Sequence, residues 1–218
     1  MPDYDWREYA ESSLLERFPN WAQGAEAWRA YVEAVLETPS PARFDEFRDS
    51  LSSILPALGC PRVFVSHRQA DVTLALRIAK LANEEGLEFW LDVFDPSLQA
   101  LQAAASSLKP SQVALLTAGI VEMALVNSTH ILVAMTPATR GSLWVPFEYG
   151  RVKDVPLASQ RTAVWAHPQL APQDFPEYCF LGVIARSEGQ IRATIYLTHP
   201  FTPGRVPPWT PPNGFPRP

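Results

Sequence analysis

The sequence predicts an α/β protein: a mostly parallel β-sheet with helices covering both faces. Three observations point there. The stretch Arg62 to Asp92 reads as strand, helix, strand, and the alternation of short β-branched or aromatic runs with amphipathic stretches continues beyond it. Parallel strands joined by helices are buried on both sides, which needs a sizeable core. With 218 residues, 47% hydrophobic and 19% charged, the chain has one.

Taken in order, the first segment reads as three helices: Tyr4 to Phe18, Trp21 to Leu36 and Phe44 to Leu55, separated by Pro19-Asn20 and Pro39-Ser40-Pro41. Trp28, Tyr31, Val32, Val35 and Leu36 form one apolar stripe, and Phe44, Phe47, Leu51, Ile54 and Leu55 form another. Such stripes must pack on one another, on the following domain, or on a second copy of the chain.

Arg62 to Ser66 is the first strand, followed by a helix with Val72, Ala75, Ile78, Ala79 and Ala82 on one face. Gly86 ends that helix at a left-handed position, and Leu87 to Leu91 is a second strand that stops at Asp92. A loop from Asp92 to Ser97, extending as far as Pro110, leads to a helix over Ser111 to Val126. A third strand follows at His130 to Met135, then the turn Thr136 to Gly141. The next helix, Ser142 to Lys153, tolerates Pro146 because first-turn amides lack intrahelical partners. Thr162 to Ala166 is a fourth strand and Tyr178 to Ile184 a fifth. Ser187 to Leu197 fits either a helix with Glu188 in its first turn or a further strand. The last 19 residues hold 8 of the 22 prolines and read as an extended tail, which could lie along its own domain, stay disordered or meet an SH3-like partner. The expected organisation is a helical segment over 1–58, an α/β domain over 59–199 and a Pro-rich tail over 200–218.

Charge and composition exclude several function classes. A net charge of -5 without any Lys/Arg block leaves no electrostatic route to nucleic acid or anionic lipid. Asp3, Asp5, Glu8 and Glu11 stand where a secretory signal needs positive charge, so a cytoplasmic location is expected. The most apolar stretch, Val113 to Val126, is interrupted by Thr117, Gly119 and Glu122 and is too short to span a membrane. Cys60 and Cys179 are far apart without a CxxC, and His67, His130, His167 and His199 are scattered singly, so no metal site or disulfide framework is expected. Neither a Walker motif nor GxGxxG occurs, which leaves ATP hydrolysis and hydride transfer without their phosphate-binding loops.

Three blocks in order suggest a family: Val63-Phe64-Val65-Ser66-His67-Arg68 with Asp71 close behind, Phe89-Trp90-Leu91-Asp92, and Leu143-Trp144-Val145-Pro146-Phe147-Glu148-Tyr149-Gly150. Over about residues 61 to 197 the chain resembles a Toll/interleukin-1 receptor (TIR) domain, of the prokaryotic kind more than the animal receptor adaptors. The resemblance implies a flavodoxin-like fold with a central parallel sheet. In TIR domains that degrade NAD+, a Trp followed four residues later by Glu marks the catalytic glutamate. Trp144 and Glu148 match that pattern, which makes Glu148 the candidate catalytic residue. The resemblance further implies that Ser66, His67, Arg68 and Asp92, at the carboxyl ends of the first two strands, face the nucleotide together with Trp144. One departure is Arg68-Gln69, where some NAD+-cleaving relatives carry two consecutive arginines.

The implied chemistry suits a single carboxylate. Breaking the nicotinamide–ribose bond expels a neutral leaving group, so no general acid is needed, whereas glycosidases expelling an alkoxide typically use two carboxyl groups. One carboxylate can stabilise the developing oxocarbenium charge, and an aromatic wall such as Trp144 would lower the local dielectric. The expected function is therefore NAD+ nucleosidase, giving nicotinamide with ADP-ribose or a cyclic ADP-ribose signal, as in bacterial antiphage defence or cell-death signalling. NAD+ enters as substrate and no cofactor is required. A homo-oligomer, assembled through the TIR domain or the N-terminal helices, and a partner defence protein are the expected associations, with the loop after Asp92 moving to complete the pocket. The alternatives are a noncatalytic TIR interaction module, or a more distant nucleoside-bond enzyme such as a deoxyribosyltransferase. In the plainer reading of the residues, Glu148 pairs with Arg151, Trp144 anchors its helix, Ser66 and Asp92 cap local structure and Arg68 is a solvated charge.

Overall fold

The computed structural model describes residues 21–52, 62–153 and 161–198. The expected helix at 4–18, Ile54, Leu55, Cys60, His199 and the Pro-rich tail lie outside them. In chain order the elements are α1 (Trp21–Glu37), α2 (Pro41–Ser52), β1 (Arg62–Ser66), α3 (Val72–Glu84), β2 (Glu88–Trp90), α4 (Pro96–Ala104), α5 (Pro110–Val126), β3 (His130–Met135), α6 (Trp144–Lys153), β4 (Thr162–Ala166), β5 (Val183–Ala185) and α7 (Glu188–Thr198), with short 3-10 turns between. They fall into two compact units: residues 21–52 with 92–127, and 62–91 with 128–153 and 161–198.

The second unit carries an all-parallel five-stranded sheet in the order β2-β1-β3-β4-β5, a flavodoxin-like arrangement. Every residue of β1, β3 and β4 is buried, which is why these runs are apolar almost throughout. Phe64 of β1 is in register with Trp90 of β2, and their rings stack at 4.7 Å. The crossover through α3 runs from β1 to β2 and the one through α6 from β3 to β4, in opposite directions along the sheet. Right-handed connections then put α3 and α6 on opposite faces.

α3 turns Ala75, Leu76, Ile78, Ala79, Leu81 and Ala82 inward and ends at Gly86, whose φ of 78° is left-handed. The open assignment of 187–197 resolves as helix: α7 buries Ile191, Thr194 and Ile195. A charge network joins it to α3. Arg192 bonds Glu84, Glu85 (2.5 Å) and Glu188 (3.1 Å), and Arg77 reaches Glu188 at 3.0 Å.

The fifth strand is shorter and later than expected. Residues Glu177–Leu181 coil into a 3-10 turn that starts after Pro176 (φ -58°), where Cys179 N donates to the Pro176 carbonyl at 3.0 Å. Gly182 then passes close to β4: a Cβ there would meet the Tyr149 phenol oxygen and lie 2.5 Å from the Thr162 carbonyl.

In the helical unit the two apolar stripes are used within the chain. Trp28, Tyr31, Val32 and Val35 of α1 and Phe47 and Leu51 of α2 are buried, with α1 and α2 packed on each other and on α5. Tyr31 stacks on Phe47 at 4.3 Å and donates its hydroxyl to the Leu115 carbonyl at 2.5 Å. Gly119 makes room for that ring, since a Cβ would stand 2.5 Å from Tyr31 Cε1. The long loop expected after Asp92 is instead mostly helix. Asp95 caps α4 by accepting from Leu98 N at 2.9 Å, and Pro96 occupies its first turn, where a missing N–H costs nothing.

The α3–α7 network should make stability depend on pH. Arg192 holds the Glu84 carboxyl below its ordinary range; Arg77, then Arg192, do so for Glu188. Carboxylates depressed in the folded state stabilise it above their unfolded pKa, and that contribution disappears as pH falls through the folded values. Arg192→Ala is expected to cost about 1 kcal/mol at neutral pH, the scale of a half-exposed network. The gap from wild type should narrow as pH falls below about 4, through the depressed values of the folded carboxylates. Thermal melts across pH measure both effects.

Candidate active site

The chain leaves β1 toward one edge of the sheet and β3 toward the other, so their carboxyl ends mark the topological switch point, where open α/β sheets bind ligands. Ser66 is the last residue of β1 and is 1% exposed. Glu148 comes from α6, whose start is fixed by the Ser142 hydroxyl accepting from Trp144 N (3.3 Å) and Val145 N (3.4 Å). Val145, Glu148 and Tyr149 recur at three and four residues and form the buried side of the helix, which carries Glu148 inward with the two apolar residues. The Ser66 hydroxyl donates to Glu148 Oε2 at 2.5 Å.

The other expected site residues are placed differently. Trp144 is 45% exposed and meets Phe147 edge to face at 6.1 Å, so its indole is neither a buried anchor nor a closed wall. Arg68 is exposed and donates through Nη1 to the Ala138 carbonyl at 2.6 Å. His67, directly after β1, is half-buried. Asp92 belongs to the helical unit, where its Oδ1 accepts from Val93 N at 2.7 Å and shapes a 3-10 turn.

Sequence reasoning missed the device that ties the two loops of the switch point together. Asp71 Oδ2, after β1, lies 2.9 Å from Thr136 Oγ1 and 3.0 Å from Thr139 Oγ1, after β3. Thr139 Oγ1 is also 2.8 Å from the Ala134 carbonyl, inside β3. With the Arg68–Ala138 bond, these contacts join the 66–71 and 136–141 segments. A Thr-x-x-Thr turn opposite an Asp was the available signal.

Behind Glu148 lies a neutral polar group. The rings of Tyr149 and Tyr178 are 5.5 Å apart. Burial pushes the Tyr178 phenol up, with Cys179 and, more weakly, Glu148 adding to it, so the phenol stays protonated. Burial likewise raises the Cys179 thiol to about 11, leaving an unreactive thiol.

A cavity of about 380 Å³ opens elsewhere, beyond the ends of β4 and β5. Its charged lining is already engaged: Arg77 pairs with Glu188 and lies over the Trp165 ring at 5.2 Å, and Arg186 donates to the Leu170 carbonyl at 2.9 Å. A buried carboxylate, Glu148, is at the switch point instead. Among the described residues, no group of three His, Cys, Asp or Glu is placed to hold a metal, and no helix is long and apolar enough to cross a membrane.

Removing the Asp71 acceptor by Asp71→Ala should lower stability by about 1 to 3 kcal/mol, the range for stranding one buried hydroxyl, that of Thr136, since Thr139 keeps the Ala134 carbonyl. Asp71→Asn, which keeps an acceptor oxygen, should lose less. Urea denaturation of both variants measures the difference. No protein-family model, curated protein or solved structure matches this chain.

Proposed function

We propose that the chain is an NAD+ nucleosidase that breaks the nicotinamide–ribose bond, with Glu148 as the catalytic carboxylate. The observation that carries the reading is a buried carboxylate bonded to the last residue of β1 at the switch point of the sheet. The resemblance of the Ser66-His67-Arg68 and Trp144 to Glu148 blocks to TIR domains supplies the substrate class.

In this mechanism the C1′–N bond breaks and its electron pair stays with nicotinamide, which leaves neutral. The positive charge left on the ribose is stabilised by the Glu148 carboxylate, held in surroundings drier than bulk water. Water then adds at C1′ and releases a proton to give ADP-ribose; attack by an adenine nitrogen gives a cyclic product. Arg68 would exchange the Ala138 carbonyl for a pyrophosphate oxygen, which its planar fork suits. The half-exposed Trp144 offers an apolar ring to the base or ribose. NAD+ is substrate, not resident cofactor. The same reading takes the chain as a homo-oligomer acting in bacterial defence or cell-death signalling, with specific activity rising with concentration.

The test is incubation of purified protein with NAD+ and separation of nicotinamide, ADP-ribose and cyclic products. Glu148→Gln should fold and lose cleavage by about 100-fold or more, the scale for removing a principal electrostatic stabiliser. Near wild-type turnover in that variant would exclude Glu148. Arg68→Ala should chiefly raise KM if it grips the pyrophosphate equally in ground and transition states. A loss confined to kcat would contradict this role.

A further inference from the structure

We propose that Ser66 is a positioning residue for Glu148 and makes no contact with the nucleotide; this rests on the reading of Glu148 as the catalytic carboxylate. The resemblance places Ser66 among the nucleotide-facing residues, but its single hydroxyl proton is directed at Glu148 Oε2, 2.5 Å away.

The two ends of this bond are held very differently. Ser66 ends the inner strand β1, is paired in register with Val133 of β3 and is 1% exposed, so its Cα is held by the sheet. Glu148 lies in the second turn of α6 and reaches the sheet through a side chain with three rotatable bonds. A glutamate of that length sweeps several ångströms unless one oxygen is pinned, and stabilising a cation at one carbon requires an oxygen at a fixed place. The serine hydroxyl supplies the pin from the most rigid element available. A hydroxyl donor favours the ionised carboxylate over the protonated one, and the ionised form is the one that stabilises a cation.

The bond lies among largely apolar neighbours. Val145 and Tyr149, which flank Glu148 on the buried side of α6, are 0% and 1% exposed, and Val133 and Ala134 on β3 are fully buried and apolar. A residue at the end of β1 that served the nucleotide would need its hydroxyl turned toward the open crevice. Here it is turned toward α6.

The test combines kinetics with a spectroscopic readout that needs no turnover. Ser66→Ala removes one oxygen and deprives Glu148 of that donor, so it should melt below wild type but still fold. With NAD+ it should lower kcat by about 10-fold or more, the strength of a charge-assisted hydrogen bond, while KM stays within about twofold. Ser66→Thr, which keeps the hydroxyl, should restore most of the rate. If its extra methyl prevents folding, Ser66→Cys, unbranched and a weaker donor, should fall between Ala and wild type. In protein labelled at the glutamate side-chain carboxyl carbon, the Glu148 resonance, assigned by its loss in Glu148→Gln, should shift in Ser66→Ala more than that of any other glutamate. A raised KM with kcat unchanged would make Ser66 a substrate contact and overturn the proposal. So would an unmoved Glu148 resonance. Wild-type protein that leaves NAD+ intact while the resonance still shifts would overturn the nucleosidase reading alone, with Ser66 retained as the residue that fixes Glu148.

Discussion

A parallel strand buried on both faces has no room for an unpaired polar side chain, and the sheet unit is arranged around that constraint. β1, β3 and β4 are buried from end to end, and their polar residues stand at the ends: Arg62 and Ser66 in β1, His130 in β3, Thr162 in β4. Each then needs a partner from another element. Arg62 finds Glu88 of β2 at 3.0 Å, and Ser66 finds Glu148. Polar side chains stand at the strand ends because the sheet interior excludes them, with Ser66 at the carboxyl end of β1.

The same edge shows how a helix can present one carboxylate inward without unfolding its surroundings. Glu148 shares a helix side with Val145 and Tyr149, so most of that contact is apolar and the carboxylate is the exception. The Ser66 hydroxyl replaces part of its lost hydration. The Asp71, Thr136 and Thr139 contacts use the same economy of one carboxylate serving two hydroxyls.

Legibility in the sequence followed burial. β1, β3 and β4 were readable because a doubly buried strand needs an unbroken apolar run, and α3 because its inward residues recur at helical spacing. The segment after Asp92 was not, since its alanines and serines carry little amphipathic signal; Asp95-Pro96 was the overlooked start of α4. β5 was misplaced because Tyr178 to Ile184 is as apolar as a strand, yet Pro176 sets a tight turn first. At the site, Glu148 was identified through the resemblance, not through periodicity, and its bond to Ser66 joins residues 82 apart, which no local pattern discloses. Thr136 and Thr139 were passed over because hydroxyls in a turn look like ordinary solvated loop residues.

Both outermost strands, β2 and β5, are three residues long, while the inner three have five or six. An incoming extended segment would find only a residue or two of free backbone on either side, too little to seed a continued ladder. Although Leu181, just before β5, and Val183, its first residue, stand exposed, the sheet is therefore a poor template for amyloid-like growth. The long apolar runs are confined to the buried centre, and the edges carry strands too short to propagate at high concentration in a crowded cell.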